Sequence, residues 1–154
     1  MANALTRERM ATGVTTKQQE RQRVVAAYRA ARKTYQEATA HLVQLEDAKA
    51  QIRAAIAQDK GNLEGYEAGW LRDGFISGKN ETERKACLAE MRVTDTGYRD
   101  LAQFVHEQEQ RILREYDPEI GHVMWEIKGA RYEIEMCIAE GLMIASEKDD
   151  ERHG

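Results

Sequence analysis

The chain has 154 residues, 32% of them charged and 6% aromatic, with one Pro and a formal net charge of −4. A chain of that size holds one domain, and the balance argues against a β-sandwich and fits a solvent-rich helical protein better than a compact enzyme. There is no run of 18 apolar residues and no hydrophobic signal core near Met1, so neither export nor a membrane span is expected.

Charge is unevenly spread. Residues 1–40 hold eight basic and three acidic side chains, an excess of five positive, which leaves nine negative charges net on the remainder. Residues 1–14 lack periodicity and carry Gly13, which reads as a mobile lead-in. From 15 to 58 there is neither Pro nor Gly, and Thr15 or Thr16 supplies a helix cap. Tyr28, Tyr35, Leu42, Lys49 and Ile56 recur every seventh residue, as do Val24, Ala31, Ala38, Leu45 and Ile52. Two such series form the narrow seam of a coiled coil, so a helix of about 65 Å is expected here. Lys49 stands in that seam. It either sets register or oligomeric state, or lies at the seam edge and extends its charge into water; in the first case Lys49→Leu should raise stability.

The helix is expected to stop at Asp59-Lys60-Gly61-Asn62, with Gly61 as the terminating residue. Residues 59–79 hold five glycines with Leu63, Tyr66, Trp70, Leu71 and Phe75 among them. That mixture predicts a packed glycine-aromatic corner, with a short helix over about 63–72 placing Leu63, Tyr66 and Trp70 on one face. Asn80 followed by Glu83 is a capping box that opens the next helix, and Leu88 and Met91 give it an apolar stripe. After Thr94-Asp95-Thr96-Gly97 a third helix starts near Tyr98, with Leu101, Val105 and Ile112 inward. At Asp117-Pro118-Glu119 either a new capped helix begins or a long helix kinks. Ile120, Val123, Met124, Ile127, Ile134, Ile138 and Leu142 continue the apolar spacing to about Ser146, before an acidic tail over 147–154. The expected fold is therefore one all-α domain over 1–154. It is an elongated antiparallel helical hairpin with coiled-coil packing, in which 80–146 returns along 15–58 and sets the basic first helix beside Glu107, Glu109, Glu133 and Glu135.

The order of these parts, with Gly78-Lys79-Asn80-Glu81-Thr82-Glu83-Arg84-Lys85-Ala86 opening the second half, resembles small helical proteins of unknown function from tailed bacteriophages and prophages. The resemblance covers roughly residues 63–140, and this chain departs from it in placing Pro118 and Gly121 inside the terminal helix. It implies a location in host bacterial cytoplasm, close to recombination or replication genes. It carries over no catalytic residue.

Candidate chemistry is sparse. Glu119-Ile120-Gly121-His122 with Glu126 puts three metal-capable groups on one helix face, but a carboxylate-bridged di-metal bundle needs a second such set, which only a dimer could supply. Cys87 and Cys137 are far apart, have no CxxC context, and read as reduced core or seam thiols of a cytoplasmic protein. No G-x-S-x-G is present, and Gly74 to Lys79 has too few residues between its glycines for a phosphate-binding loop. Arg21, Arg29, Arg32 and Lys33 either meet nucleic-acid phosphates, with Tyr28 and Tyr35 stacking on bases, or pair with the acidic half of the protein. Tyr66, Trp70, Phe75, Asn80 and Glu83 are read as structural, in the corner and its cap. The expectation is a non-enzymatic binding protein without cofactor or metal, with a protein partner or a second copy of itself. The alternatives are a nucleic-acid-binding accessory protein and a dimeric di-metal enzyme.

Overall fold

The computed structural model describes the backbone of residues 2–153 and the side chains of residues 16–147. Its elements are α1 (Ala2–Arg72), α2 (Glu81–Thr94), α3 (Thr96–Arg111), a π-helical turn (Ile112–Tyr116) and α4 (Asp117–His153). No strand occurs among the described residues, so the fold is all-α. None of the described helices is long and apolar enough to cross a membrane.

Burial along α1 follows the heptad. Val24, Ala31, Ala38 and Ile56 are buried, and Tyr28, Tyr35, Leu42, Leu45, Lys49 and Ile52 are half-buried. The series does not end where the glycines begin. Asp59 and Leu63 stay half-buried and Trp70 is buried, so α1 continues through Gly61, Gly65 and Gly69 to Arg72. Each interior glycine costs a helix about 1 kcal/mol relative to alanine, and burial of one large side chain outweighs that. The helix stops instead at Gly74, whose φ is +80°. The Phe75 N–H donates to the Trp70 carbonyl and the Gly74 N–H to the Leu71 carbonyl, the paired bonds of a Schellman ending. The expected corner over 59–79 therefore shrinks to the turn between α1 and α2.

The π turn answers the question posed at Pro118. Asp117 has helical φ and ψ of −62° and −43° and caps nothing, and its N–H donates to Ile112, five residues back. A regular helix would bring the Pro118 ring against the carbonyl four residues earlier, and the widened turn upstream relieves that clash. One residue is thereby inserted into the heptad. Before it the heptad places fall on buried or half-buried Tyr98, Leu101, Val105, Gln108 and Ile112; after it they fall on Tyr116, Ile120, Val123, Ile127 and Ala130. Without the insertion Glu115, Glu119 and His122 would hold those places.

The chain divides into two compact units, one of residues Val43–Gly121 and one of the chain up to Leu42 with the chain from His122 onward. In the Val43–Gly121 unit Ile56, Val105 and Ile112 form the buried cluster, with Ile52 and Leu63 packed on it. Lys49 pairs with Asp117, Lys60 with Glu109 at 2.6 Å, and Glu67 with Arg92 at 2.6 Å, so positions rise along α1 as they fall along the later helices. The other unit has a smaller core of Val24, Ala31, Ala38, Val123 and Ala130. There Arg23 meets Glu140 at 3.8 Å, and the Arg131 guanidinium lies 6.0 Å from the centre of the Tyr35 ring, again in reversed order. Two of the four expected partners of the basic stretch are engaged elsewhere, and among the described residues none of the four meets it. Glu109 takes Lys60, Glu107 accepts from Gln103, and Glu133 and Glu135 form no ion pair among the described residues.

Candidate functional site

The turn after α1 is built from short-range rules. Asn80 takes extended φ and ψ and its Oδ1 accepts the Glu83 N–H at 2.9 Å, while Glu83 Oε2 accepts the N–H of Lys79 at 2.6 Å. The carboxylate reaches one residue beyond the cap residue itself, and both terminal donors are satisfied. Gly78 lies so close to this cap that a Cβ there would stand 2.7 Å from that of Glu83. Phe75 does not join a corner core. It is 60% exposed, and the Cys87 thiol donates to its carbonyl at 3.4 Å.

Beside the turn, in the Val43–Gly121 unit, Tyr66, Trp70 and Tyr98 stack. The Trp70 and Tyr98 ring centres are 5.1 Å apart, and Tyr66 meets Tyr98 edge-on at 6.2 Å. Glu67 joins this cluster to α2 and α3: its Oε1 accepts from Arg92 Nε at 2.6 Å and from the Tyr98 hydroxyl at 2.9 Å. The Arg92 hydrogen bond holds the Glu67 carboxyl below the usual carboxylate range, helped by Tyr98 and opposed by burial. Arg92 is raised by the same bond. Burial first, and Glu67 second, push the Tyr98 phenol up. Asp95 ends α2 and caps α3, its Oδ1 accepting the Tyr98 N–H at 2.9 Å. An open groove of about 680 Å³ runs alongside, lined by Gly61, Gly65 and Gly69 together with Tyr66, Trp70, Asp73 and Asp95. Glu67, Arg92 and Tyr98 were not among the residues singled out from sequence. They lie 25 and 31 positions apart, and no local spacing signals their meeting.

The basic residues lie on solvent-facing parts of α1. Arg21, Arg29, Arg32 and Lys33 are exposed; Lys33 pairs with Glu37 at 3.8 Å, and the three arginines form no ion pair among the described residues. Tyr28 and Tyr35 are half-buried on the packed face, and Tyr35 is covered by Arg131, so neither stands ready to stack on a base. On α4, His122 Nε2 meets Glu126 at 3.0 Å, without Glu119. Among the described residues no three His, Cys, Asp or Glu side chains are grouped to hold a metal ion. Cys87 and Cys137 are free and half-buried.

The outer face of α4 is the feature that the sequence reading did not single out. Trp125 is 72% exposed, and Tyr132, Leu142 and Met143 are 63%, 67% and 67% exposed, with Met136 at 44%. Lys128 Nζ sits 5.6 Å from the centre of the Trp125 ring. Met124, Ile138 and Leu142, expected inward, are outward too. Their spacing is helical, but each follows a packed residue by one position, about 100° round the helix, which turns it out of the packed stripe. The signal was present in sequence as a second apolar series, offset by two residues from the first. No family model, no curated protein and no solved structure matches the chain.

Proposed function

We propose that this chain is a non-enzymatic helical binding protein of a phage or prophage, an adaptor or modulator working in host cytoplasm near recombination or replication proteins. The observation that carries the reading is the outer face of α4, where large apolar side chains stand in solvent while Val123 and Ala130 serve the packed face. Contiguous exposed apolar surface on a folded chain marks an interaction site. The Gly78-Lys79-Asn80-Glu81 turn, which resembles that of small phage proteins, supports the setting. The architecture that belongs with this reading is an elongated antiparallel hairpin with coiled-coil packing, supported by the reversed order of contacts within each unit and by the heptad burial of α1. The test is affinity capture from infected-host lysate with the native chain and with Trp125→Glu/Tyr132→Glu. A protein retained by the first and lost with the second is expected; identical capture by both would remove the basis of the reading.

A second reading, nucleic-acid binding, is favoured by Arg21, Arg29 and Arg32, which are exposed and form no ion pair among the described residues. It requires oligonucleotide binding that falls steeply between 50 and 200 mM salt and weakens in Arg29→Glu/Arg32→Glu. Binding unaffected by salt and by both substitutions would end it.

A further inference from the structure

We infer that the outer face of α4 is a seam for a second copy of this chain; the inference rests on the binding reading above and names the occupant. Trp125, Gly129, Tyr132, Met136, Ala139 and Met143 follow one another at intervals of four, three, four, three and four. The packed face of the same helix, Val123, Ile127, Ala130, Ile134, Cys137 and Gly141, has the same intervals. One helix thus carries two coiled-coil stripes, of which the chain itself covers one. The sizes on α4 are inverted relative to an isolated helix pair: its fully buried residues are Val123 and Ala130, while its aromatic and thioether side chains, Trp125, Tyr132, Met136 and Met143, are outside.

Area and charge identify the occupant. The exposed parts of Trp125, Tyr132, Met136 and Met143 come to on the order of 550 Å², a large share of the ~800 Å² that each partner contributes to a stable interface, with the α1 contacts adding to it. The flanks of the stripe carry Glu126, Glu133, Glu135 and Glu140 against Lys128 over Trp125, an acidic excess, so a bare pairing of two α4 helices would set more like charges than unlike together. The chain carries the complement on its own α1, where Arg29 and Arg32 are exposed without an ion pair among the described residues and Lys33 has only a 3.8 Å contact to Glu37. A second copy brings an acidic α4 and a basic α1 together, and two-fold symmetry makes each such contact twice.

Sedimentation equilibrium of the full chain over a concentration series tests this. The native chain should reach about twice its 17.6 kDa mass. Trp125→Glu/Tyr132→Glu should raise the dimer dissociation constant about tenfold or more. Should that variant lose its helical circular dichroism, the charge variants decide: Arg29→Glu/Arg32→Glu and Glu133→Lys/Glu135→Lys should each weaken the dimer alone and restore it when mixed. A chain monomeric throughout overturns the inference, as does a dimer indifferent to the apolar or the charge variants, or a mixture that fails to restore association. A monomer whose lysate partner is still lost on Trp125→Glu/Tyr132→Glu would overturn the second copy alone and leave the binding reading standing.

Discussion

At Asn80 a single oxygen decides where α2 begins. Asn80→Ala should cost ~1 kcal/mol in urea unfolding, because the Glu83 N–H loses its acceptor; a loss under a few tenths would mean that Glu83 and the Gly78 approach hold the cap without it. Glu67 gives a pH-dependent test. Its carboxyl is held low in the folded chain by Arg92, so its contribution is present above the unfolded carboxylate range and is lost as pH falls through the folded value. The native chain should exceed Glu67→Gln in stability at pH 7, and that margin should shrink steadily as pH is lowered through the ordinary carboxylate range and below it. A margin constant across that range would remove Glu67 ionisation as the cause. Asn80 was legible because donor and acceptor are three residues apart in sequence. The Glu67 site was not, because three helices must be placed before its members meet.

Among elements, α1 shows how tertiary burial overrides local propensity. Gly61 has the composition of a stop signal, yet Trp70 is buried only if the helix continues, and Gly74 ends it where burial ends. Gly65 has nothing within 4 Å of where a Cβ would stand, so Gly65→Ala should stabilise the chain by ~0.5–1 kcal/mol in thermal melts. Destabilisation there would show a helix strained at its glycines. Lys49 has a similar lesson in sign. If Lys49 only set register, Lys49→Leu would bring a gain, but its side chain is 20% exposed and paired with Asp117, which that change would strand beside the packed face of α1. The single substitution should therefore destabilise by about 1 kcal/mol, and Lys49→Leu/Asp117→Leu should recover it. Equal stabilities of native and single variant would show that water already screens the pair.

For the whole molecule, helical class and the buried stripe of α1 were legible from heptads, since burial repeats them residue for residue from Val24 to Ile56. The end of α1 and the phase of α4 were not, because both depend on what packs against them. The division into two units with unequal cores has a measurable counterpart. If a second copy covers the outer face of α4, amide exchange over 16–42 and 122–147 should slow as protein concentration rises, with 43–121 unchanged. Uniform slowing, or none, would count against that coupling.

The turn from Ile112 to Asp117 works like a reading frame. Wound as ordinary helix, the same residues would rotate every later position by about 100°, so that Glu119, His122 and Glu126 would take the sheltered places of Ile120, Val123 and Ile127. The frame is thus proofread downstream, by three aliphatic side chains that would otherwise surrender their shelter to charge. Within the turn Ile112 and Tyr116 are held by their packing, and the three residues between them are free to drift as long as the downstream phase holds. Removing one residue would still let the later text be read in phase, whereas adding one would garble it.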